Sequence, residues 1–256
     1  MEFDFKGKNV VITGGNSGIG FAAAKAFAQN GANVAICGTN KDKLDKAVEK
    51  LKEYETWVYS DVCNVGDSKQ LLKFADDCED VLGGIDIWIS NAGFMPFSKI
   101  VDTSEEMWDN VFNVNVKSVY NGAKIAKEKM VKGGVLINAS SFASIMPSVN
   151  TGVYGATKAA VTSLTKTLAS ELAPFGIRVV GYIPGVIATD LNASNIVNNG
   201  DKLLESISAR KFGTAEEIAN GILFLASDYA SYITGTCLEI SGGKFATQNP
   251  KAAWEL

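Results

Sequence analysis

Two side chains of complementary chemistry lie four residues apart in the second half of the chain. Tyr154 and Lys158 are separated by one helical turn, so they would lie on one face of a helix. A phenol, whose ordinary pKa is about 10, is a poor base near neutrality, and a neighbouring ammonium would favour its phenolate. Ser141, thirteen residues before Tyr154, could reach the same point. A Tyr-x-x-x-Lys pair alone is usually a solvated pair, but with this serine it could transfer a proton to or from a substrate oxygen.

A glycine-rich segment near the N-terminus could bind phosphate groups. Residues 13–20 have the sequence TGGNSGIG, between a short apolar run and a helix-forming stretch. Glycines let the backbone turn tightly and approach a pyrophosphate, which the N–H groups and positive dipole end of the next helix stabilise. Such a turn alone is as often a simple helix cap. Its position after the first apolar run, together with Asn91-Ala92-Gly93 after the fourth, favours dinucleotide binding.

Short apolar runs that alternate with segments of helical period would position these residues. The runs predict strands at residues 10–12, 34–37, 57–59, 85–90, 135–139, 178–183 and 237–240. The helical segments are 19–29, 42–53, 68–82, 105–131, 151–172 and 215–225. This alternation predicts an α/β fold, a single-domain Rossmann-type doubly wound parallel sheet with helices on both faces, formed by residues 1–256. Function is then expected beyond the carboxyl ends of the strands, and the irregular stretch 187–212 is predicted to be a loop that closes over the substrate.

The composition excludes several kinds of site. The 256 residues include no histidine, which removes Ser-His-Asp and Cys-His mechanisms and His-ligated metals, and no metal site is predicted. A formal net charge of −4, with Arg178 and Arg210 as the only arginines, argues against nucleic-acid binding. No apolar run is long enough to cross a membrane, and no secretion signal is evident. The four scattered cysteines are typical of reduced thiols, so a cytoplasmic protein is expected.

Taken together, the motifs resemble those of one enzyme family. The patterns T-G-x-x-x-G-x-G, N-A-G, a serine, Y-x-x-x-K and P-G follow one another in the order typical of short-chain dehydrogenases/reductases, from about residue 7 to residue 243. The resemblance implies an NAD(P)-dependent oxidoreductase that interconverts a secondary alcohol and a ketone by hydride transfer. It implies that Tyr154 is the general acid/base, that Lys158 lowers its pKa and binds the nicotinamide ribose, and that Ser141 polarises the substrate oxygen. Asn115 matches the family's helix asparagine, which holds a water in a proton relay.

The end of the second strand favours NADP(H) over NAD(H). Enzymes that prefer NAD usually place a carboxylate there, which binds the ribose 2′-OH and repels a 2′-phosphate. Residues 37–41 are CGTNK and contain no acid, although the arginine common in NADP-dependent relatives is also absent. Ser17, Thr39, Asn40 and Lys41 could surround the phosphate. The full set that the resemblance implies for the dinucleotide is Gly14, Asn16, Ser17, Gly18, Ile19, Gly20, Thr39, Asn40, Lys41, Asp61, Val62, Asn91, Ala92, Gly93, Tyr154, Lys158, Pro184, Gly185, Ile187 and Thr189.

A largely apolar set of residues surrounds the expected site and predicts a hydrophobic ketone or alcohol as substrate. The set comprises Phe94, Met95, Phe142, Ile145, Met146, Val149, Val153, Tyr182 and Ile187, with Leu191, Ile196, Val197, Leu203 and Leu204 from the stretch 187–212. The segments 20–27, 179–190 and 216–231 are similar to bacterial hydroxysteroid dehydrogenases, which favours a hydroxysteroid.

Two alternatives stay open at this point. A 3-oxoacyl-[acyl-carrier-protein] reductase would need a basic patch for its acidic partner, which Lys127, Lys129 and Lys132 could form. A dinucleotide-binding sensor without catalysis is disfavoured, because such relatives often lack the tyrosine or the lysine. The family resemblance also implies a homotetramer or homodimer built from the helices at 105–131 and 151–172.

Overall fold

One parallel sheet organises the protein, for which the computed structural model describes residues 2–131 and 133–255. Its strands are β1 (Asn9–Thr13), β2 (Asn33–Gly38), β3 (Val58–Val62), β4 (Ile87–Ser90), β5 (Gly134–Ala139), β6 (Ile177–Pro184) and β7 (Cys237–Ile240). They lie in the order β3-β2-β1-β4-β5-β6-β7, and every neighbouring pair is parallel. The order reverses between β1 and β4, which opens a crevice at the carboxyl ends of these two strands.

Helices cover both faces of the sheet. They are α1 (Gly18–Gln29), α2 (Lys41–Leu51), α3 (Ser68–Leu82), α4 (Glu105–Phe112), α5 (Ser118–Lys129), α6 (Gly152–Leu172), α7 (Ala193–Glu205) and α8 (Ala215–Ala226). Successive strand side chains point to opposite faces, so β1 buries Val10 and Ile12 in one apolar cluster and Val11 in the other. The predicted α/β sheet with helices on both faces is confirmed.

The prediction of one continuous helix over residues 105–131 is wrong for the middle of this segment. Asn113–Lys117 forms a π-helical turn between α4 and α5. The side-chain amide of Asn115 is held there by the backbone of Phe94 and by the Thr157 hydroxyl. Single π turns inside helices are frequent at functional sites. Tertiary hydrogen bonding has therefore overridden the regular helical period.

Two other boundaries differ from those expected. The stretch 187–212 is not irregular throughout, because α7 occupies residues 193–205, with a break in helical geometry at Asn199. Its asparagine-rich sequence lacks a strong helical signature. Strand β3 covers residues 58–62 rather than 57–59, so Asp61 and Val62 end the strand instead of following it. None of the described helices has the length and apolar character that a bilayer crossing requires.

Candidate active site

A cleft of about 1300 Å³ opens at the carboxyl ends of the strands. One end is formed by the glycine turn after β1 and by the residues after β2 and β3. The other end is formed by the residues after β5 and β6, the first turns of α6, and α7. Ligand pockets for small molecules typically measure about 300–1,000 Å³. The volume therefore suffices for a large ligand and a smaller one side by side.

The glycine turn has the geometry that a pyrophosphate requires. Gly14 and Gly18 have φ of +66° and +53°, a backbone region that other residues rarely adopt. A Cβ on Gly20 would lie 2.2 Å from the Gly14 carbonyl oxygen, so only glycine allows α1 to start this close to the turn. Ser17 caps α1 without a side-chain hydrogen bond. The first N–H groups of α1 therefore stay available for an anionic ligand, and the turn fits a dinucleotide.

A hydrogen-bond network fastens this turn to the loop after β4. The Asn91 side-chain amide donates to the carbonyl oxygens of Thr13 at 2.9 Å and Gly14 at 3.3 Å. The Thr13 hydroxyl in turn accepts from the backbone N–H groups of Asn91 and Ala92, at 3.0 and 3.1 Å. The buried phenol of Tyr182 donates to Asn91 Oδ1 at 2.8 Å. Residues from three strand ends thereby fix the crevice in one shape.

Tyr154, Lys158 and Ser141 all line the cleft. Tyr154 and Lys158 are one turn apart on α6, with 8% and 3% of their surface exposed. Burial raises the pKa of Tyr154, while a hydrogen bond with Ser141 acts to lower it. Burial also lowers the pKa of Lys158 to about 8. Lys158 Nζ donates to the Ala139 carbonyl at 2.8 Å and lies 5.5 Å from the centre of the Tyr154 ring.

This arrangement suits proton transfer to a substrate oxygen. The Tyr154 phenol has the Ser141 hydroxyl beside it and the Lys158 ammonium one turn further along α6, so both groups influence its pKa. Charge close to Tyr154 favours the phenolate, and the hydroxyl of Ser141 can donate to the same oxygen atom that the phenol protonates. Among the described residues, no group of three or more His, Cys, Asp or Glu side chains could hold a metal ion.

Asn115 lies behind the cleft rather than on its wall. Its Oδ1 accepts from the Phe94 N–H at 2.8 Å, and its Nδ2 donates to the Phe94 carbonyl at 2.9 Å and to the Thr157 hydroxyl at 3.0 Å. A Cβ on Gly93 would lie 3.6 Å from both Asn115 Oδ1 and Lys158 Nζ. Asn115 therefore connects the loop after β4 to α6, and a role for it in a water relay stays a prediction.

Most of the residues predicted to contact the dinucleotide line the cleft. They are Gly14, Asn16, Ser17, Gly18, Ile19, Gly20, Thr39, Asn40, Asn91, Ala92, Gly93, Tyr154, Lys158, Pro184, Gly185, Ile187 and Thr189. Lys41, Asp61 and Val62 do not line it. The Lys41 ammonium instead pairs with Asp45 at 2.7 Å on the outer side of α2, and the Val62 N–H is bonded to the Asp61 carboxylate at 2.7 Å.

The cleft also contains residues that the sequence analysis did not select. Lys43, and not Lys41, lines the cleft near the end of β2. At the substrate end, Lys244 and Phe245 also line the cleft. Cys63, Asn64 and Val65 line the end of β3 in place of Asp61 and Val62. The basic character of Lys43, two residues after Lys41, was the only sequence signal that could have identified it. Of the apolar set, Ile145, Val153, Ile196, Val197 and Leu204 do not line the cleft, whereas Phe94, Met95, Phe142, Met146, Val149, Tyr182, Ile187, Leu191 and Leu203 do.

The match to known proteins covers nearly the whole chain. Residues 14–244 match the family model described as Enoyl-(Acyl carrier protein) reductase. The chain is 37% identical to a 3alpha-hydroxysteroid dehydrogenase of Mediterraneibacter gnavus, over 94% of this chain and 98% of that protein. The chain belongs to the short-chain dehydrogenase/reductase family.

Other short-chain dehydrogenases/reductases are equally similar and differ in substrate. The chain is 38% identical to a 3-oxoacyl-[acyl-carrier-protein] reductase of Thermotoga maritima, over 93% of this chain and 98% of that protein. A solved 7α-hydroxysteroid dehydrogenase, complexed with NADH and 7-oxo glycochenodeoxycholic acid, superposes with a TM-score of 0.91 at 31% identity, over 97% of this chain and 98% of that one. The protein is thus a short-chain oxidoreductase of the NAD(P)-binding fold, and its substrate must be argued from its own residues.

Proposed function

We propose that the protein interconverts a secondary alcohol and a ketone by hydride transfer with NADP(H), on a hydrophobic substrate such as a hydroxysteroid. One observation carries the proposal: Ser141, Tyr154 and Lys158 converge in a cleft whose other end is a glycine turn at a helix N-terminus. When bound, the nicotinamide supplies or accepts the hydride. In the reductive direction Tyr154 protonates the carbonyl oxygen, while Ser141 donates a hydrogen bond to the same oxygen. Lys158 holds a positive charge near the phenol and would bind the nicotinamide ribose.

The residues near the end of β2 support NADP(H) as the preferred dinucleotide. Thr39, Asn40 and Lys43 line the cleft there and residues 37–41 contain no acid, although the Asp190 carboxylate also lines the cleft and pairs with the Lys43 ammonium at 2.8 Å. Lys43 would supply the positive charge that was expected of Lys41 once a 2′-phosphate competes with Asp190 for its ammonium. The relative solved with NADH shows that the family also uses the other dinucleotide. Titration of the protein with NADPH and NADH, followed by nicotinamide fluorescence, tests the preference directly; tighter binding of NADH would overturn it.

The walls of the substrate end support a hydrophobic substrate. Phe94, Met146, Val149, Leu191 and Leu203 contribute apolar surface to the cleft that Tyr154 also lines, and such walls favour a ligand with a large apolar body. The identities with a 3alpha-hydroxysteroid dehydrogenase and a solved 7α-hydroxysteroid dehydrogenase support a steroid among such ligands.

A 3-oxoacyl-[acyl-carrier-protein] reductase is the second candidate, because a reductase of that kind is 38% identical. Its acidic partner protein would need a basic surface. Lys129 is engaged by Asp76 at 2.7 Å and by Glu79 at 2.6 Å, and Lys132 lies outside the described residues. The two acids neutralise Lys129, one of the three lysines of the patch that the sequence suggested, so this candidate ranks below the steroid.

The test is turnover of a ketone panel by the wild-type protein and by Tyr154→Phe. The panel contains 3-oxo and 7-oxo bile acids and 3-oxoacyl thioesters, each with NADPH and NADH. A positioned acid/base typically contributes about 10²–10⁴-fold, so Tyr154→Phe should lower kcat by at least about 100-fold and leave the Kd for NADPH nearly unchanged. Tyr232→Phe, at a fully exposed phenol, is the control.

Each outcome of this test has a separate meaning. Near-parental turnover by Tyr154→Phe would refute the acid/base assignment. Turnover of acyl-carrier thioesters alone would reject the steroid. Dinucleotide binding without turnover of any ketone would favour the sensor.

We also propose that the chain forms a homodimer or homotetramer in the cytoplasm. Trp108 of α4 and Tyr120 of α5 expose 39% and 53% of their surface on the helices that the family resemblance implies for assembly. Four free cysteines, three of them buried, suit a reducing compartment. Sedimentation of the wild-type protein and of Tyr120→Glu tests the interface, since a monomeric wild-type protein would refute it.

A further inference from the structure

One half-buried cation at the substrate end of the cleft has no anionic partner. Lys244 lines the cleft just after β7, and its Nζ donates to the Ser206 hydroxyl at 2.9 Å. None of the salt bridges among residues 2–131 and 133–255 involves it. Burial lowers the pKa of Lys244, and no neighbouring carboxylate offsets this effect. Desolvating an ammonium without an anionic partner is unfavourable, so the site is incomplete as the chain alone builds it.

Aromatic side chains hold this ammonium close to the reacting groups. Lys244 Nζ lies 4.8 Å from the centre of the Phe245 ring and 5.6 Å from that of Phe142. The two rings stack with centres 6.1 Å apart. Phe142 directly follows Ser141, which belongs to the proton-transfer group. The cation therefore shares a wall of the cleft with the site of reaction.

The backbone around Lys244 is fixed on both sides. Residue 244 forms an antiparallel bridge with Ile207, and the Phe245 N–H donates to the Ser206 carbonyl at 2.8 Å. Phe245 has φ of +49°, which an aromatic residue adopts only where its surroundings impose it. These contacts tie Lys244 to the segment after α7. The ammonium is thus a preorganised feature of the substrate end.

The dinucleotide cannot supply the missing anion. Its pyrophosphate would sit on the glycine turn after β1, whereas Lys244 follows β7. Strands β1 and β7 are four positions apart in the sheet, which corresponds to about 19 Å at the usual strand spacing. A 2′-phosphate would lie further away still, beyond β2. An anion that reaches Lys244 would therefore come from the substrate.

We propose that the substrate carries a carboxylate in addition to its reacting oxygen, and that Lys244 binds this carboxylate. The proposal rests on the proposed oxidoreductase function and narrows its substrate class to hydrophobic keto or hydroxy acids. Lys244 is a specificity-determining residue in this scheme. Its ammonium donates a charge-assisted hydrogen bond to the carboxylate, while the apolar walls cover the body of the ligand.

The first experiment measures binding and needs no turnover. Octanoate and the neutral octanamide are titrated into the protein saturated with NADPH, by calorimetry, for the wild-type protein, Lys244→Met and Lys244→Arg. A charge-assisted hydrogen bond corresponds to a preference of about tenfold or more for octanoate in the wild-type protein. Lys244→Met should abolish this preference and Lys244→Arg should retain it. Lys25→Met, at an exposed position of α1, controls for net charge.

The second experiment measures KM for keto acids, among them 7-oxo glycochenodeoxycholic acid, and KM for the methyl esters of the same acids. We expect Lys244→Met to raise KM for the acids by about tenfold and to leave KM for the esters unchanged. Equal affinity of the wild-type protein for octanoate and octanamide, or a preference that survives in Lys244→Met, would overturn the proposal. Failure to reduce any ketone would instead count against the proposed function, because the binding experiment does not depend on turnover. Unchanged NADPH affinity establishes that the variants are folded.

Discussion

The buried ammonium of Lys158 belongs to the site, but it should lower the free energy of unfolding of the protein at neutral pH. Only 3% of the surface of Lys158 is exposed, and its ammonium has one protein acceptor among the described residues, the Ala139 carbonyl. Burial lowers its pKa from 10.5 to about 8. Between these two values the unfolded chain binds more protons than the folded one, so the stability of the wild-type protein rises with pH across this window. The difference between the two pKa values corresponds to about 3 kcal/mol. At pH 7 Lys158 is protonated in both the folded and the unfolded state, so the whole of this amount is subtracted from the free energy of unfolding.

We therefore expect Lys158→Met to raise the free energy of unfolding of the dinucleotide-free protein at pH 7. Methionine has a similar length and no charge to desolvate, but it leaves the Ala139 carbonyl without its donor, at a cost of about 1 kcal/mol. The expected net gain is about 2 kcal/mol. This gain should shrink as the pH rises from 8 and become a loss that approaches about 1 kcal/mol above pH 10.5, because the neutral amine of the wild-type protein no longer opposes folding but still donates to the Ala139 carbonyl. Turnover should be lost at every pH.

Urea unfolding of the dinucleotide-free proteins at several pH values between 7 and 10.5 measures this difference. The control is Lys166→Met, at an exposed position of the same helix α6, which should show no such pH-dependent gain relative to the wild-type protein. A Lys158→Met protein that is less stable than the wild type at pH 7 would refute the reasoning. So would a stability difference that does not change with pH.

Three further substitutions test the dinucleotide end of the cleft. Tyr182→Phe removes the donor to Asn91 Oδ1 and should raise the Kd for NADPH several-fold, by fluorescence titration, with little change in kcat; an unchanged Kd would contradict the network. Asp190→Asn releases Lys43 from its 2.8 Å ion pair and should tighten binding of NADPH about twofold at low salt; an equal effect on NADH would argue against a phosphate contact. Gly20→Ala places a Cβ 2.2 Å from the Gly14 carbonyl, so dinucleotide binding should weaken by at least about tenfold, and retained affinity would disprove the close approach.

The sheet and the central site could be predicted because local patterns determine them. Buried parallel strands are short apolar runs, and helices between them show a period of 3.6 residues. A glycine turn after the first strand and a Tyr-x-x-x-Lys spacing are equally local. Once the strands are parallel, the residues after their carboxyl ends must lie at one edge of the sheet. The sequence alone was therefore enough to bring Gly14, Ser141 and Tyr154 together.

The position of the lysine that lines the dinucleotide end of the cleft could not be predicted in the same way. Helix α2 begins at Lys41, with the Asn40 side chain accepting from the Lys43 N–H. Residues two positions apart in a helix point about 200° from each other, so Lys41 and Lys43 cannot face the same side. Which of them faces the cleft depends on the direction in which α2 leaves the sheet. Packing of the helix against its neighbours decides that direction, and residues 37–41 do not encode it.

The π turn that contains Asn115 was harder still to predict from the sequence. Asn115 is 1% exposed, and a buried amide is tolerated only when its polar atoms are satisfied. Its partners are Phe94 and Thr157, which lie 21 and 42 residues away in the sequence. A regular helix over 105–131 accounts for the apolar positions equally well, so periodicity cannot distinguish it from a helix with a π turn. The turn exists because it lets one amide bond both to the loop after β4 and to α6, and only the assembled fold brings these partners together.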